Sequence, residues 1–328
     1  MEELRQYSYK SNRRNNMNIS VIIPTLNRPQ VLQETLESVS KQLKLPFEVI
    51  IIDQSDSEET GTVCKEFHFV KYYHNNFKSS THARNIGIRE SNGDIIVFID
   101  DDVELLPGYF EYVLESFQAK PEAIAFCGNV INSKPFRGLN NVIRKAFLFD
   151  HSSDDMTILP NFLATSFTKN PSDYREVFWM TGCNFCVKKS ALQQVMFDEK
   201  LIKYALAEDR DFSYRLSKQG KIYFNPHMKL IHKVADVSRI SSRKKVFMIF
   251  VHQLYLTKKN LGWSFKNKSA YWWNIAGRLL FAFISSCSFR KNAVDNLRNH
   301  FLAFGFVINH KEEILCGDLS SFHKFLLS

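Results

Sequence analysis

The sequence predicts an α/β fold: a doubly wound, mostly parallel sheet flanked by helices. Short apolar runs alternate with segments of helical period through the first hundred residues. Polar residues then fall just past the ends of three of those runs: Pro24-Thr25, Asp53 and Asp100–Asp102.

The elements follow in order. Ile19-Ser-Val-Ile-Ile23, stopped by Pro24, has the composition of a buried parallel strand. Leu32, Leu36, Val39 and Leu43 recur at helical spacing, with Pro29 suited to the first turn. Phe47–Ile52 is a second strand ending on Asp53, and Val70–Tyr73 a third. A helix is expected over Thr81–Glu90, and Asp94–Ile99 then runs into Asp100-Asp101-Asp102. In such sheets ligands sit outside the carboxyl ends of the strands, so three distant polar signals converge on one edge. Residues 132–175 are mixed and loop-rich, and are expected to cover part of this first domain. Glu176–Lys188 reads as a strand, Ser190–Met196 as a short helix and Glu208–Gln219 as a helix stopped by Gly220. Lys221–Phe224 is a further strand, and after Ala235 the pattern is helical and aromatic.

Composition adds limits. Of 328 residues, 45% are hydrophobic, enough for a packed core and not a disordered chain. The net charge is +9, but residues 233–328 alone carry 15 Lys/Arg against 5 Asp/Glu. Residues 1–16 are polar and basic without the apolar core of a secretion signal. Ile275–Phe289 is too short to span a bilayer and contains Arg278. Six scattered Cys give no disulfide framework. Cys183 and Cys186 form a C-x-x-C without a second Cys/His pair at zinc spacing, and are read as small apolar side chains.

The acidic triplet is the sharpest chemical feature. Adjacent carboxylates at a strand end repel unless a cation or donors compensate them. Oxygen ligands of this kind suit Mg²⁺ or Mn²⁺, which also bind substrate phosphates. The competing reading is a solvated acidic turn that caps a helix beginning near Pro107. Glu208, Asp209 and Asp211 carry the same ambiguity, between an acidic first helical turn and a base that removes a proton from a hydroxyl nucleophile.

Ser20-Val-Ile-Ile-Pro-Thr-Leu-Asn-Arg28, Ile51-Ile-Asp-Gln-Ser55, Ala83-Arg-Asn-Ile-Gly87 and Phe98-Ile-Asp-Asp-Asp102 occur in that order. Together they resemble the nucleotide-binding half of the family 2 glycosyltransferases, which have the GT-A fold. Thr181-Gly-Cys-Asn184 and Ala207-Glu-Asp-Arg-Asp211 resemble the acceptor half of that family, and His232 its late histidine; His227 is the weaker candidate. The resemblance spans roughly residues 17–235. Composition and pattern leave a polar arm at 1–16 and a basic, aromatic-rich helical region at 236–328; the resemblance implies a GT-A domain at 17–235. It implies that Pro24 and Thr25 lie against the base and ribose, and that Asp53 hydrogen-bonds the nucleobase. Asn76 and Arg84 would help hold the nucleotide, Asp100 would contact the ribose side and Asp101 assist. Asp102 and His232 would bind the metal, and Asp209, with Glu208 beside it, would be the catalytic base. Gln54 stands where many relatives have a second acid or Asn, and 75–81 lacks a glycine often found there. The Gln-x-x-Arg-Trp motif of processive relatives is absent, which favours one sugar per encounter.

The expected activity is therefore inverting, Mn²⁺- or Mg²⁺-dependent transfer of a hexosyl or N-acetylhexosaminyl group. The donor would be of UDP or dTDP type and the acceptor a saccharide or lipid-linked saccharide, in the building of a bacterial surface polysaccharide. A sugar nucleotidyltransferase and a silent nucleotide-binding scaffold are the alternatives. In the basic tail, Arg243, Lys244 and Lys245 precede the apolar run Val246–Phe250, and Lys258, Lys259, Lys266 and Lys268 flank Trp263. Trp272 and Trp273 precede an apolar helix. That pattern suits an anionic membrane surface, placing the protein in the cytoplasm at the inner face of the membrane. A helical pair packed as an ordinary domain is the competing reading; no recognised motif supports nucleic acid.

Overall fold

The computed structural model describes residues 17–234, 240–287 and 293–328; the polar arm at 1–16 lies outside the described residues. The first elements are β1 (Ile19–Thr25), α1 (Pro29–Ser40), β2 (Glu48–Asp53), α2 (Glu59–Lys65), β3 (Val70–His74) and α3 (Ser80–Glu90). Next come β4 (Ile95–Ile99), β5 (Val103–Leu105), α4 (Tyr109–Ala119), β6 (Ala123–Val130), α5 (Gly138–Ala146), β7 (His151–Ser153) and β8 (Thr165–Phe167). Then follow β9 (Arg175–Val177), β10 (Asn184–Lys188), α6 (Glu208–Leu216) and β11 (Lys221–His232). The chain closes with α7 (Ser242–Leu261), α8 (Phe265–Ser286), α9 (Ala293–Leu315) and α10 (Ser320–Leu327).

Two compact units result. The first takes residues up to 133, 170–197 and 216–238; the second takes 134–169, 198–215 and 239–328. The units thus cut across a linear division near residue 235. Segment 134–169, read from the sequence as cover for the sheet domain, belongs to the second unit.

Among the described residues, the first unit holds a nine-stranded sheet of order β3-β2-β1-β4-β10-β6-β11-β5, with β9 also on β11. β3, β2, β1 and β4 are parallel; β2, β1 and β4 are Val/Ile runs buried on both faces, whereas β3, at the edge, is half-exposed. β11 runs parallel to β6, whereas β10, β9 and β5 pair antiparallel with their neighbours. The sheet is therefore mixed but mostly parallel, and helices flank it. The short α2 escapes a periodicity search because it buries only Thr60 and Cys64. The strand expected over Glu176–Lys188 is instead two, β9 and β10, separated by a turn in which Asn184 N donates to Thr181 O at 3.0 Å. Cys183 and Cys186 are both buried in the core of this unit, in agreement with their apolar reading.

In the second unit, α7 buries nearly every residue from Val246 to Thr257. A helix that is apolar all round is a core helix, and the aromatic tail is spent on packing around it. Arg243 lies over the Phe247 and Phe325 rings, and Lys244 Nζ donates to Leu326 O at 2.8 Å. Trp273 stacks on Phe147 and donates to Ala146 O at 2.8 Å. Gly277 permits that approach of α8, because a Cβ there would lie 2.5 Å from the Phe147 ring. No helix among the described residues is long and apolar enough to cross a membrane.

Candidate functional site

The parallel register sets Thr25 beside Asp53 at the carboxyl ends of β1 and β2, with Asp100 directly after β4. The expected convergence on one sheet edge is thus present. His232 arrives by a route the sequence did not disclose. The three-residue strand β5 follows the acidic triplet at once and pairs antiparallel with β11, setting His232 opposite Val103. Lys233 N donates to Asp102 O at 2.8 Å. Asn132 clasps the backbone of His232 from both sides, accepting from its N–H at 3.1 Å and donating to its carbonyl at 2.8 Å.

Asp102 and His232 then meet through a 2.9 Å contact between Oδ1 and Nε2, and Asp100 Oδ2 lies 4.0 Å from the same nitrogen. One ligand atom from each of Asp100, Asp102 and His232 lies within 4.8 Å of the others. Two carboxylates and an imidazole suit a borderline-hard divalent ion such as Mn²⁺, and this donor set fits the metal that the triplet implies. Asp100 is therefore an additional candidate ligand beside the two expected.

Asp101 points elsewhere. Its buried carboxylate accepts from Thr25 Oγ1 at 2.7 Å and from Arg28 Nη1 at 3.0 Å. Burial pushes its pKa up to about 6, against the pull of Arg28 and Thr25 and with help from Asp102 and Asp100. Arg28 also lies 3.7 Å from Asp102, and Arg84 Nη2 donates to Asp100 Oδ1 at 2.9 Å. Two guanidinium groups thus share the charge of three carboxylates. Burial opposes protonation of His232, but its hydrogen bond to Asp102 and the surrounding carboxylates hold its pKa above the usual value.

Two contributors were missed. Arg28 lies within the first motif, where a basic loop residue reads as surface. It is brought back by Asn27, whose φ of 54° is left-handed. Thr35 is buried on the apolar stripe of α1, and its hydroxyl meets the carbonyls of Asp101 and Val103 at 2.7 and 2.9 Å. A polar side chain at that helical spacing was the available signal.

On the nucleotide side, Asp53 is fully buried and accepts from Ser55 N at 2.9 Å and Tyr72 Oη at 2.8 Å. Burial and that hydrogen bond raise the Tyr72 pKa, so it stays a donor. Gln54 is buried and donates to Ser79 O at 3.1 Å and to Phe77 O, tying the loop before α3 to the end of β2. Pro24 is half-buried, Asn76 is exposed, and His227 stacks on Tyr112.

Glu208 and Asp209 belong to the second unit and open α6, both half-buried. The loop before them carries Lys203, Ala205 and Ala207 at φ of 62°, 48° and 71°. Each such non-glycine residue costs about 1 kcal/mol or more, a strain typical of functional segments. Asp211 differs from its neighbours. Completely buried, it accepts from Arg215 Nη2 at 2.7 Å, Lys259 Nζ at 2.8 Å and Asn260 Nδ2 at 2.8 Å. Removing it takes a buried carboxylate from Arg215, Lys259 and Asn260, although Lys259 keeps Asp198 at 2.6 Å. Asp211→Ala should therefore destabilise this unit by about 3 kcal/mol, near the lower end for a broken buried pair, measurable by denaturant unfolding.

The geometry can be set beside known proteins. The family model described as glycosyl transferase family 2 matches residues 20–196. The uncharacterized glycosyltransferase YwdF of Bacillus subtilis is 29% identical over 150 residues, 45% of this chain and 56% of YwdF. The GalNAc(5)-diNAcBac-PP-undecaprenol beta-1,3-glucosyltransferase of Campylobacter jejuni is 32% identical over 103 residues, 30% of this chain and 33% of its own. The matches thus cover about half or less of these curated relatives' length. In fold, the chain is similar to the mannosyltransferase PcManGT from Pyrobaculum calidifontis, solved with GDP-Man and Mn²⁺. That likeness has a TM-score of 0.52 at 15% identity, over 98% of this chain and 88% of that one. With a family match across more than half its residues and the GT-A sheet beneath its acidic edge, this chain belongs to glycosyl transferase family 2.

Proposed function

We propose that the protein is a metal-dependent, inverting, non-processive glycosyltransferase that moves a sugar from a nucleotide-sugar donor to a saccharide or lipid-linked acceptor. The observation that carries this reading is the meeting of Asp100, Asp102 and His232 at the strand edge. Asp102 and His232, with Asp100, would hold Mn²⁺ or Mg²⁺. Such an ion, when bound, offsets the charge that grows on the departing diphosphate. Pro24 and Thr25 lie against the base and ribose, and Asp53 accepts from the base with lone pairs left beside Ser55 and Tyr72. Asn76 and Arg84 help hold the nucleotide, Asp100 serves the ribose side, and Asp101 keeps Thr25 and Arg28 in place.

Asp209, with Glu208 beside it, takes the proton from the acceptor hydroxyl as the new bond forms. Attack from the face opposite the diphosphate needs one base and inverts the anomeric configuration. A UDP- or dTDP-linked hexose or N-acetylhexosamine is the proposed donor. The Campylobacter relative, named for an undecaprenyl-diphosphate-linked substrate, supports a lipid-linked acceptor. That acceptor, and the basic charge of residues 233–328, support work at the inner face of the cytoplasmic membrane.

A panel of nucleotide sugars tests the reading. With Mn²⁺, one member should release free nucleoside diphosphate, at a rate that a chelator abolishes. Release of pyrophosphate from a nucleoside triphosphate and a sugar 1-phosphate, with no diphosphate released from any nucleotide sugar, would assign the chain to nucleotidyl transfer instead.

A further inference from the structure

The second unit contains a cavity of about 310 Å³ that none of the roles above uses. Arg144 of α5 and Arg278 of α8 line it, together with Phe149, Phe281, Asn296 and His300. Each guanidinium makes its hydrogen bond to protein through Nε. Arg144 donates to Asp150 O at 2.6 Å, and Arg278 to Asn274 Oδ1 at 2.9 Å. Their planes are also held against rings, Arg144 at 3.8 Å from the Phe136 centroid and Arg278 at 5.2 Å from that of Phe149. Among the described residues, the terminal amines of these two side chains meet no protein acceptor.

The local charge is unbalanced. Asp150 is the nearby acid, and its Oδ1 already accepts from Arg210 Nη2 at 3.1 Å and Ala164 N at 2.9 Å. Asp150 is thus already engaged by Arg210 while Arg144 and Arg278 lie in its field. Burial pushes the Arg278 pKa down to about 10; Asp150 opposes this, and the charges of Arg144 and Arg210 add to it. An anion bound between the two side chains would relieve that excess and satisfy the fork of donors each presents.

The surroundings specify more than an anion. Phe149, Phe281, Ile143 and Ala282 give the same cavity an apolar wall. Helix α5 buries none of its residues, and Leu139 and Val142 on it are exposed. Leu280, Phe283 and Ile284 are exposed on α8, at positions adjoining the lining residues. Exposed apolar side chains beside a cationic pocket suit a molecule with a phosphate head and a greasy body.

We propose that this cavity binds the phosphate of an anionic lipid headgroup, held between Arg144 and Arg278. The proposal rests on the membrane-surface part of the function proposed above and on no part of the donor site.

The test uses the full chain and two soluble probes: dihexanoyl phosphatidic acid below its micelle concentration, and inorganic phosphate. By calorimetric titration the lipid should bind at least about tenfold more tightly than phosphate, because only the lipid also meets the apolar wall. Arg144→Gln and Arg278→Gln should each weaken lipid binding by about tenfold or more, with melting and Mn²⁺-dependent nucleotide binding unchanged. Arg144→Gln, at the less buried of the two, keeps the test open should Arg278→Gln fail to fold. Equal affinity for the two probes, or variants that bind lipid as the parent does, would overturn the assignment. Vesicle flotation separates the two layers of the reading. A parent that ignores phosphatidic acid vesicles overturns the membrane-surface reading. Flotation undiminished in Arg144→Gln overturns the cavity assignment alone.

Discussion

Replacing Asp209 with Asn is expected to cut turnover by roughly 10²-fold or more while leaving donor affinity intact. The amide keeps the shape of the carboxylate but cannot take the acceptor's proton. The local backbone supports a special role, since Ala205 and Ala207 hold left-handed conformations immediately before the residue. The contrast with Asp211 sharpens the expectation. Asp211 is buried among Arg215, Lys259 and Asn260, so its loss should appear as unfolding. For Asp209→Asn, steady-state rates beside a denaturation curve separate the two cases. Near-normal turnover in a folded variant would return Asp209 to the role of an acidic first turn.

Asp102→Asn should act earlier, on binding. Loss of a group one shell outside a metal ligand already weakens metal affinity by about 10–100-fold. Loss of a direct ligand should weaken Mn²⁺-dependent binding of a nucleoside diphosphate by about 100-fold or more. The fold should survive, because neutralising one of three adjacent carboxylates lowers their mutual repulsion. Calorimetry with and without chelator checks this. Equal affinity in variant and parent under both conditions would remove the metal from the account.

How much of this was legible in the sequence follows from the range of each interaction. The strands β1, β2 and β4 announced themselves because both of their faces are buried, which demands unbroken Val/Ile runs. Their polar ends then marked the edge where Thr25, Asp53 and Asp100 gather. The three-residue β5 has no pattern of its own and exists through its pairing with the distant β11. That pairing carries His232 to Asp102, and only the resemblance to a known family anticipated the meeting. The tail shows the opposite limit. Basic residues alternating with aromatics look the same in sequence whether the rings face lipid or one another. In the second unit the rings pack on other rings: Phe247 stacks on Phe325, Trp272 meets Tyr271 and Phe304, and Phe322 meets Phe306. The excess charge around Asp150 was invisible, because Arg144, Arg210 and Arg278 are far apart in the chain.

The central claim is that Asp100, Asp102 and His232 together hold the ion that receives the donor's diphosphate. Pulsed electron paramagnetic resonance of Mn²⁺ added with nucleoside diphosphate tests it most directly. The account predicts nitrogen modulation from one directly bound imidazole, together with phosphorus coupling from the nucleotide. His232→Gln should remove the nitrogen signal and leave the phosphorus coupling of whatever Mn²⁺-nucleotide still binds. A parent protein that binds the Mn²⁺-nucleotide complex with no imidazole nitrogen on the metal would contradict it.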